Sequence, residues 1–165
     1  WVQERCPLPI YLSGVSMGAA TVLMASGLPL PENVRGILAD CGYTSPHAIW
    51  EHVAKDNLHL SYSEARRKTI DAICAQRLNG ESANYSCEDA LKECKVPVLF
   101  VHGSDDRFVP VEMTYQNYKA CASEKRLLIV PGAGHGESYY KEPANYERAV
   151  LQFWKAFDRG TGDEP

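Results

Sequence analysis

Three short stretches of the chain carry residues that could do chemistry together. YLSGVSMGAA, from Tyr11 to Ala20, sets Ser16 between Gly14 and Gly18 where an apolar run gives way to an alanine-rich one. VHGSDDRFVP brings Asp105 and Asp106 just after a second apolar run, and VPGAGHG brings His135 after a third. A serine hydroxyl is a weak nucleophile at neutral pH; it becomes effective when an imidazole takes its proton and a carboxylate orients that imidazole. Taken singly, each stretch has an ordinary use as a glycine-rich loop, an aspartate turn or a surface histidine. Together, in the order Ser, Asp, His, they supply a nucleophile, an acid and a base.

These residues need elements to hold them. Pro9–Val15, Arg35–Asp40, Val96–His102 and Arg126–Val130 read as short, buried strands. Between and after them, Met17–Ser26 and Val111–Ala122 read as helices, and Tyr146, Val150, Phe153, Trp154 and Phe157 recur at helical spacing. Near-continuous apolar strands alternating with helices predict a parallel sheet covered on both faces. Four strands in sequential order place their right-handed crossover helices on one face and leave the terminal helix for the other. Every candidate then stands just past the C-terminal end of a strand, the edge where open parallel sheets gather their sites.

On this reading Ser16 occupies the apex of a sharp strand-to-helix turn. Small residues two positions before and after it, Gly14 and Gly18, let the backbones pass closely, and the apex side chain is left exposed. The N–H of Met17, at the helix N-terminus, faces any oxyanion formed beside the serine.

Residues 45–91 interrupt the strand–helix rhythm and are far longer than an ordinary crossover. Ser63 is a candidate cap for a helix over Ser63–Leu78 that Asn79-Gly80 would stop, and Ser86 with Asp89 starts another. The segment reads as a mostly helical insertion in a single domain.

The composition narrows the partners. The chain has 165 residues, enough for one core, and a net charge of −4, which offers nothing to nucleic acid or an anionic membrane. No apolar run has the length of a membrane span. Six scattered cysteines without a Cys-x-x-Cys pair read as free thiols of a cytoplasmic protein, and His52 and His59 as surface residues, so neither a metal nor another cofactor is expected.

At this point the chain resembles the α/β-hydrolase family. GVSMG is similar to its nucleophile elbow, HGSDDRFVP to its His-Gly-x-x-Asp-x-x-Val-Pro stretch, and GAGHG to the loop carrying its base. The resemblance implies a partial α/β-hydrolase fold, the C-terminal portion with about four parallel strands, and selects Asp106 over Asp105 as the acid. It places the insertion over 45–91 where that family carries a lid. It implies a serine hydrolase acting on a carboxylic ester, thioester or amide of a small acyl substrate. An acyltransferase with the same residues, or a catalytically incomplete binding module, are the alternatives.

Trp50, His52, Leu58, Leu60 and Tyr62 of the insertion, with Tyr43 and Tyr139, are candidates for an acyl pocket. The strand at Pro9–Val15 is expected to have a bare, uncharged edge, which predicts self-association.

Overall fold

The protein is described from a computed structural model covering residues 2–5, 8–77 and 85–157. After a short helix α1 (Val2–Arg5), the elements are β1 (Ile10–Val15), α2 (Met17–Ala25), β2 (Val34–Asp40), α3 (Pro46–His52), α4 (Glu64–Arg77), α5 (Cys87–Lys92), β3 (Val98–Gly103), α6 (Val111–Ala120), β4 (Lys125–Val130), α7 (Ser138–Lys141) and α8 (Pro143–Phe157).

Four strands form one wholly parallel sheet in the order β1-β2-β3-β4. Successive side chains of a strand point to opposite faces, and the core divides accordingly. Ile37, Ala39, Val98 and Phe100 pack on one face with Ala19, Ala20 and Leu23 of α2 and Leu91 of α5. Leu38, Leu99, Val101 and Val130 pack on the other with Val150 and Phe153 of α8. The crossover helices thus share one face and the terminal helix covers the second, as right-handed connections require. Fully burying side chains such as Phe100, Phe153 and Ile37 stabilises the sandwich by about 1.5–3 kcal/mol each.

Most boundaries fall within one residue of the sequence reading; two differ by two residues, for local reasons. β3 begins at Val98, not Val96, because Pro97 has no N–H to give the ladder. α6 ends at Ala120, not Ala122, because the chain turns extended at Cys121 and the Ala122 N–H bonds the carbonyl of Leu91 instead of continuing the helix.

The long β2–β3 connection is mostly helical. α3 starts at Ser45, whose Oγ accepts from the Ala48 N–H at 3.1 Å, with Pro46 in the first turn, where a missing N–H is no loss. A π-helical turn, Val53–Asn57, follows directly. The Ser63 Oγ accepts from the Arg66 N–H at 3.4 Å at the start of α4, and the Ser86 Oγ from the Asp89 N–H at 3.1 Å at the start of α5. Leu78 and the Asn79-Gly80 stop lie outside the described residues.

α4 buries no side chain completely. It is pinned at a distance by His47 of α3, whose Nε2 lies 2.8 Å from Asp71 Oδ1 while its Nδ1 lies 2.7 Å from the Tyr62 hydroxyl. Cys41, Cys74, Cys87, Cys94 and Cys121 are free thiols. Among the described residues, no helix is long and apolar enough to cross a membrane.

Candidate active site

The turn from β1 into α2 is tight. Ser16 at its apex has φ 55° and ψ −115°, a conformation that costs a non-glycine residue on the order of 1–3 kcal/mol and persists only where the surroundings enforce it. The Ser16 N–H is tied to the carbonyl of Asp40 at 2.8 Å. A Cβ on Gly14 would stand 2.2 Å from the backbone of Gly18, so only glycine fits there. Gly18 is different: a Cβ on it would meet nothing within 4 Å, and the close passage makes its steric demand on Gly14 alone.

The three candidate side chains meet across the ends of β1, β3 and β4. His135 Nε2 lies 2.9 Å from Ser16 Oγ, and its Nδ1 lies 2.7 Å from Asp106 Oδ2. A carboxylate only accepts, so Nδ1 carries the proton and Nε2 presents its lone pair to the serine hydroxyl.

Asp106 is buried, and its Oδ1 accepts from the Phe108 and Val109 N–H groups, both at 2.9 Å. Burial works to raise its pKa, but the hydrogen bonds from His102, His135, Val109 and Phe108 outweigh burial and hold it at about 2. It is therefore a carboxylate at any working pH. Its neighbour Asp105 is exposed and accepts from the Ser104 hydroxyl at 2.7 Å.

Residues to which the sequence reading gave no role complete the surroundings. His102, fully buried in β3, places Nε2 3.1 Å from Asp106 Oδ2 and 2.9 Å from the Val109 carbonyl. Both are acceptors, so Nε2 is protonated, and Nδ1 meets the Thr114 hydroxyl of α6 at 2.7 Å. Gly103 lets the end of β3 touch the His135 loop: a Cβ there would lie 2.2 Å from the Ala133 carbonyl oxygen. Asp40, buried at the end of β2, accepts from the Ser138 hydroxyl at 3.0 Å and so anchors the far side of the same loop. Burial raises its pKa, against hydrogen bonds from Ser138 and Tyr146.

The donor atoms of Cys41, Asp106 and His135 lie within 4.8 Å of one another. A cation there would have to break the Asp106–His135 hydrogen bond. It would also need the proton of a thiol that burial, and then the charge of Asp40, push up to about 12.

Ser16 opens onto a cavity of about 630 Å³, within the range of small-molecule sites. Ser16, Met17, Tyr43, Phe108 and Val109 line its sheet side. The facing wall comes from the β2–β3 insertion, chiefly Ile49, Trp50, Val53, Leu58 and Ile70, with Tyr62, Thr69 and Arg66. Of the sequence candidates for this pocket, Trp50, Leu58, Tyr62 and Tyr43 line it. His52 does not, being drawn to Asp56 and the Arg107 carbonyl. Leu60 and Tyr139 do not either; the Tyr139 hydroxyl instead donates to Glu147 at 2.9 Å on the surface.

Comparison with known proteins adds a family and a fold. The model of the prolyl oligopeptidase family matches residues 8–159. YqkD, an uncharacterized protein of Bacillus subtilis, is 28% identical over 147 residues, covering 87% of this chain and 47% of its own. The chain spans about half the length of the curated relatives it matches. Among solved structures, a Pyrococcus furiosus esterase superposes with a TM-score of 0.67 at 17% identity, over 95% of this chain and 57% of its own. An acylaminoacyl peptidase of Pyrococcus horikoshii superposes with a TM-score of 0.64 at 15% identity, over 95% of this chain and 25% of its own. These structures share the α/β-hydrolase fold with this chain.

Proposed function

The chain belongs to the prolyl oligopeptidase family, and from that premise we propose that it is a serine hydrolase cleaving carboxylic esters through an acyl-enzyme. Ser16 Oγ attacks the ester carbonyl as His135 Nε2 takes its proton. Asp106 holds the imidazole in the Nδ1–H tautomer and stabilises the imidazolium that forms. The carbonyl oxygen, now carrying the negative charge, turns toward the N–H of Met17, which as the first residue of α2 has no carbonyl inside the helix to bond. The imidazolium returns its proton to the departing alkoxide, and water, activated by the same nitrogen, then releases the acid and frees Ser16.

One observation carries this reading: the Ser16–His135–Asp106 hydrogen-bonded chain, at 2.9 and 2.7 Å, opens onto an apolar cavity. Esters come before amides because an alkoxide leaves with less help from a proton donor than an amine. Within the insertion, residues 49–70 act as the lid, supplying the wall that keeps water from the acyl group.

Hydrolysis of p-nitrophenyl butyrate tests the proposal. Ser16→Ala and His135→Ala should each lower kcat by about 10³-fold or more while leaving the fold intact by circular dichroism. Equal rates in the folded Ser16→Ala protein would exclude Ser16 as the nucleophile.

A further inference from the structure

The cavity has a polarity that simple acyl esters do not use. Its walls are aliphatic and aromatic, and Arg66 is the sole charged side chain among its described lining residues. Arg66 Nη1 donates to the Ser61 carbonyl at 2.7 Å, and among the described residues no carboxylate pairs with its guanidinium. An arginine bonded once, to a neutral carbonyl, keeps most of its five donors for another acceptor, and its planar fork matches a carboxylate.

We infer that the substrate is an amphiphile, an apolar chain that ends in a carboxylate, with the chain against Trp50, Leu58 and Ile70 and the carboxylate on Arg66. The inference rests on the proposed hydrolase reading for the ester bond at Ser16. The carboxylate could sit on the acyl side or on the alcohol side of that bond, and the chemistry at Arg66 is the same.

The selectivity follows from a difference in desolvation. A neutral chain end gains only apolar burial, whereas an anionic end would be costly to place in this cavity without the guanidinium. Arg66 is exposed, so solvent weakens the pair, and a preference of about fivefold to tenfold is expected.

Binding is tested first, in Ser16→Ala protein, where no turnover can interfere. Calorimetry should show decanoate binding about fivefold or more tighter than 1-decanol. Arg66→Met should erase that preference and Arg66→Lys should keep part of it. Equal binding of the two ligands, or a preference unchanged in Arg66→Met, would overturn the inference.

Kinetics then assign the side. Arg66→Met should lower the kcat/KM ratio of an adipate monoester over a hexanoate ester if the carboxylate is on the acyl side. It should lower the ratio of an ω-hydroxy-acid ester over a plain alkyl ester if it is on the alcohol side. A ratio that falls in neither pair counts against the inference. Arg66-dependent decanoate binding without hydrolysis of any ester would instead remove the hydrolase reading and leave the anion site standing.

Discussion

His102 and His135 converge on a single oxygen, Oδ2 of Asp106, at 3.1 and 2.7 Å. One histidine faces the serine; the other is buried inside the sheet, locked between Thr114 and the Val109 carbonyl. The carboxylate is thereby fixed in place and in charge before any substrate arrives. Preorganisation of this kind lowers the cost of forming the imidazolium.

Replacing His102 should therefore act through Asp106. His102→Phe keeps the bulk but removes a donor to Asp106 and leaves the Val109 carbonyl without its partner. The expected loss is about 2 kcal/mol of stability and about tenfold in kcat with little change in KM, read by denaturant unfolding and steady-state kinetics. An unchanged kcat in a stably folded variant would show that the second histidine is structural only.

The two aspartates should behave oppositely. Asp106→Asn puts an amide where His135 Nδ1–H needs an acceptor, and should reduce kcat by about 10³–10⁴-fold. Asp105→Asn alters an exposed turn and should stay within about twofold. A larger loss in Asp105→Asn would move the acid by one position.

Acid stability tests the same carboxylate. Asp106 is held at about 2 in the fold, below the ordinary value of about 3.9 in an unfolded chain. The folded state therefore favours the charged form, and the contribution, on the order of 2 kcal/mol, is complete above about pH 4 and lost as pH falls toward 2. Unfolding free energies measured across that window should drop less steeply in Asp106→Asn than in the unmodified protein. Parallel curves would show that Asp106 titrates normally in the fold.

Gly14 and Gly18 make a matched pair. Gly14→Ala drives a methyl into the backbone of Gly18 at 2.2 Å and should destabilise the elbow by more than about 2 kcal/mol, with activity lost. Gly18→Ala meets open space and gains helix propensity, so it should be neutral or stabilising by up to about 1 kcal/mol. Thermal unfolding of the two variants gives the comparison; equal destabilisation would mean that the turn needs both glycines.

How much of this was legible depends on whether the signal is local. Buried parallel strands are apolar runs, so Leu38 and Val101 announce their strands, and residues placed just after strand ends, such as Ser16 and His135, fall together once the topology is sequential. The helix of Pro46–His52 is not legible in the sequence, because PHAIWEH shows no clear apolar period and its only local mark is the cap at Ser45. The His47–Asp71 pin joins residues 24 apart in sequence, and nothing local marks either one. His102 opens the His-Gly-x-x-Asp-x-x-Val-Pro stretch, but its place inside an apolar strand gives no local sign that it donates to Asp106. His52 and Leu60 were placed in the pocket by proximity in sequence, but the π-helical turn after α3 and the pairing of His52 with Asp56 carry them elsewhere.

The central claim is that Ser16 is a nucleophile activated by His135, and covalent labelling tests it most directly. Treated with a fluorophosphonate and digested for mass spectrometry, the protein should carry the phosphonyl group on the peptide containing Ser16. Labelling should slow by about 10³-fold in His135→Ala and follow the loss of ester hydrolysis one for one. A label on another residue, or Ser16 labelling at the same rate without His135, would contradict the account.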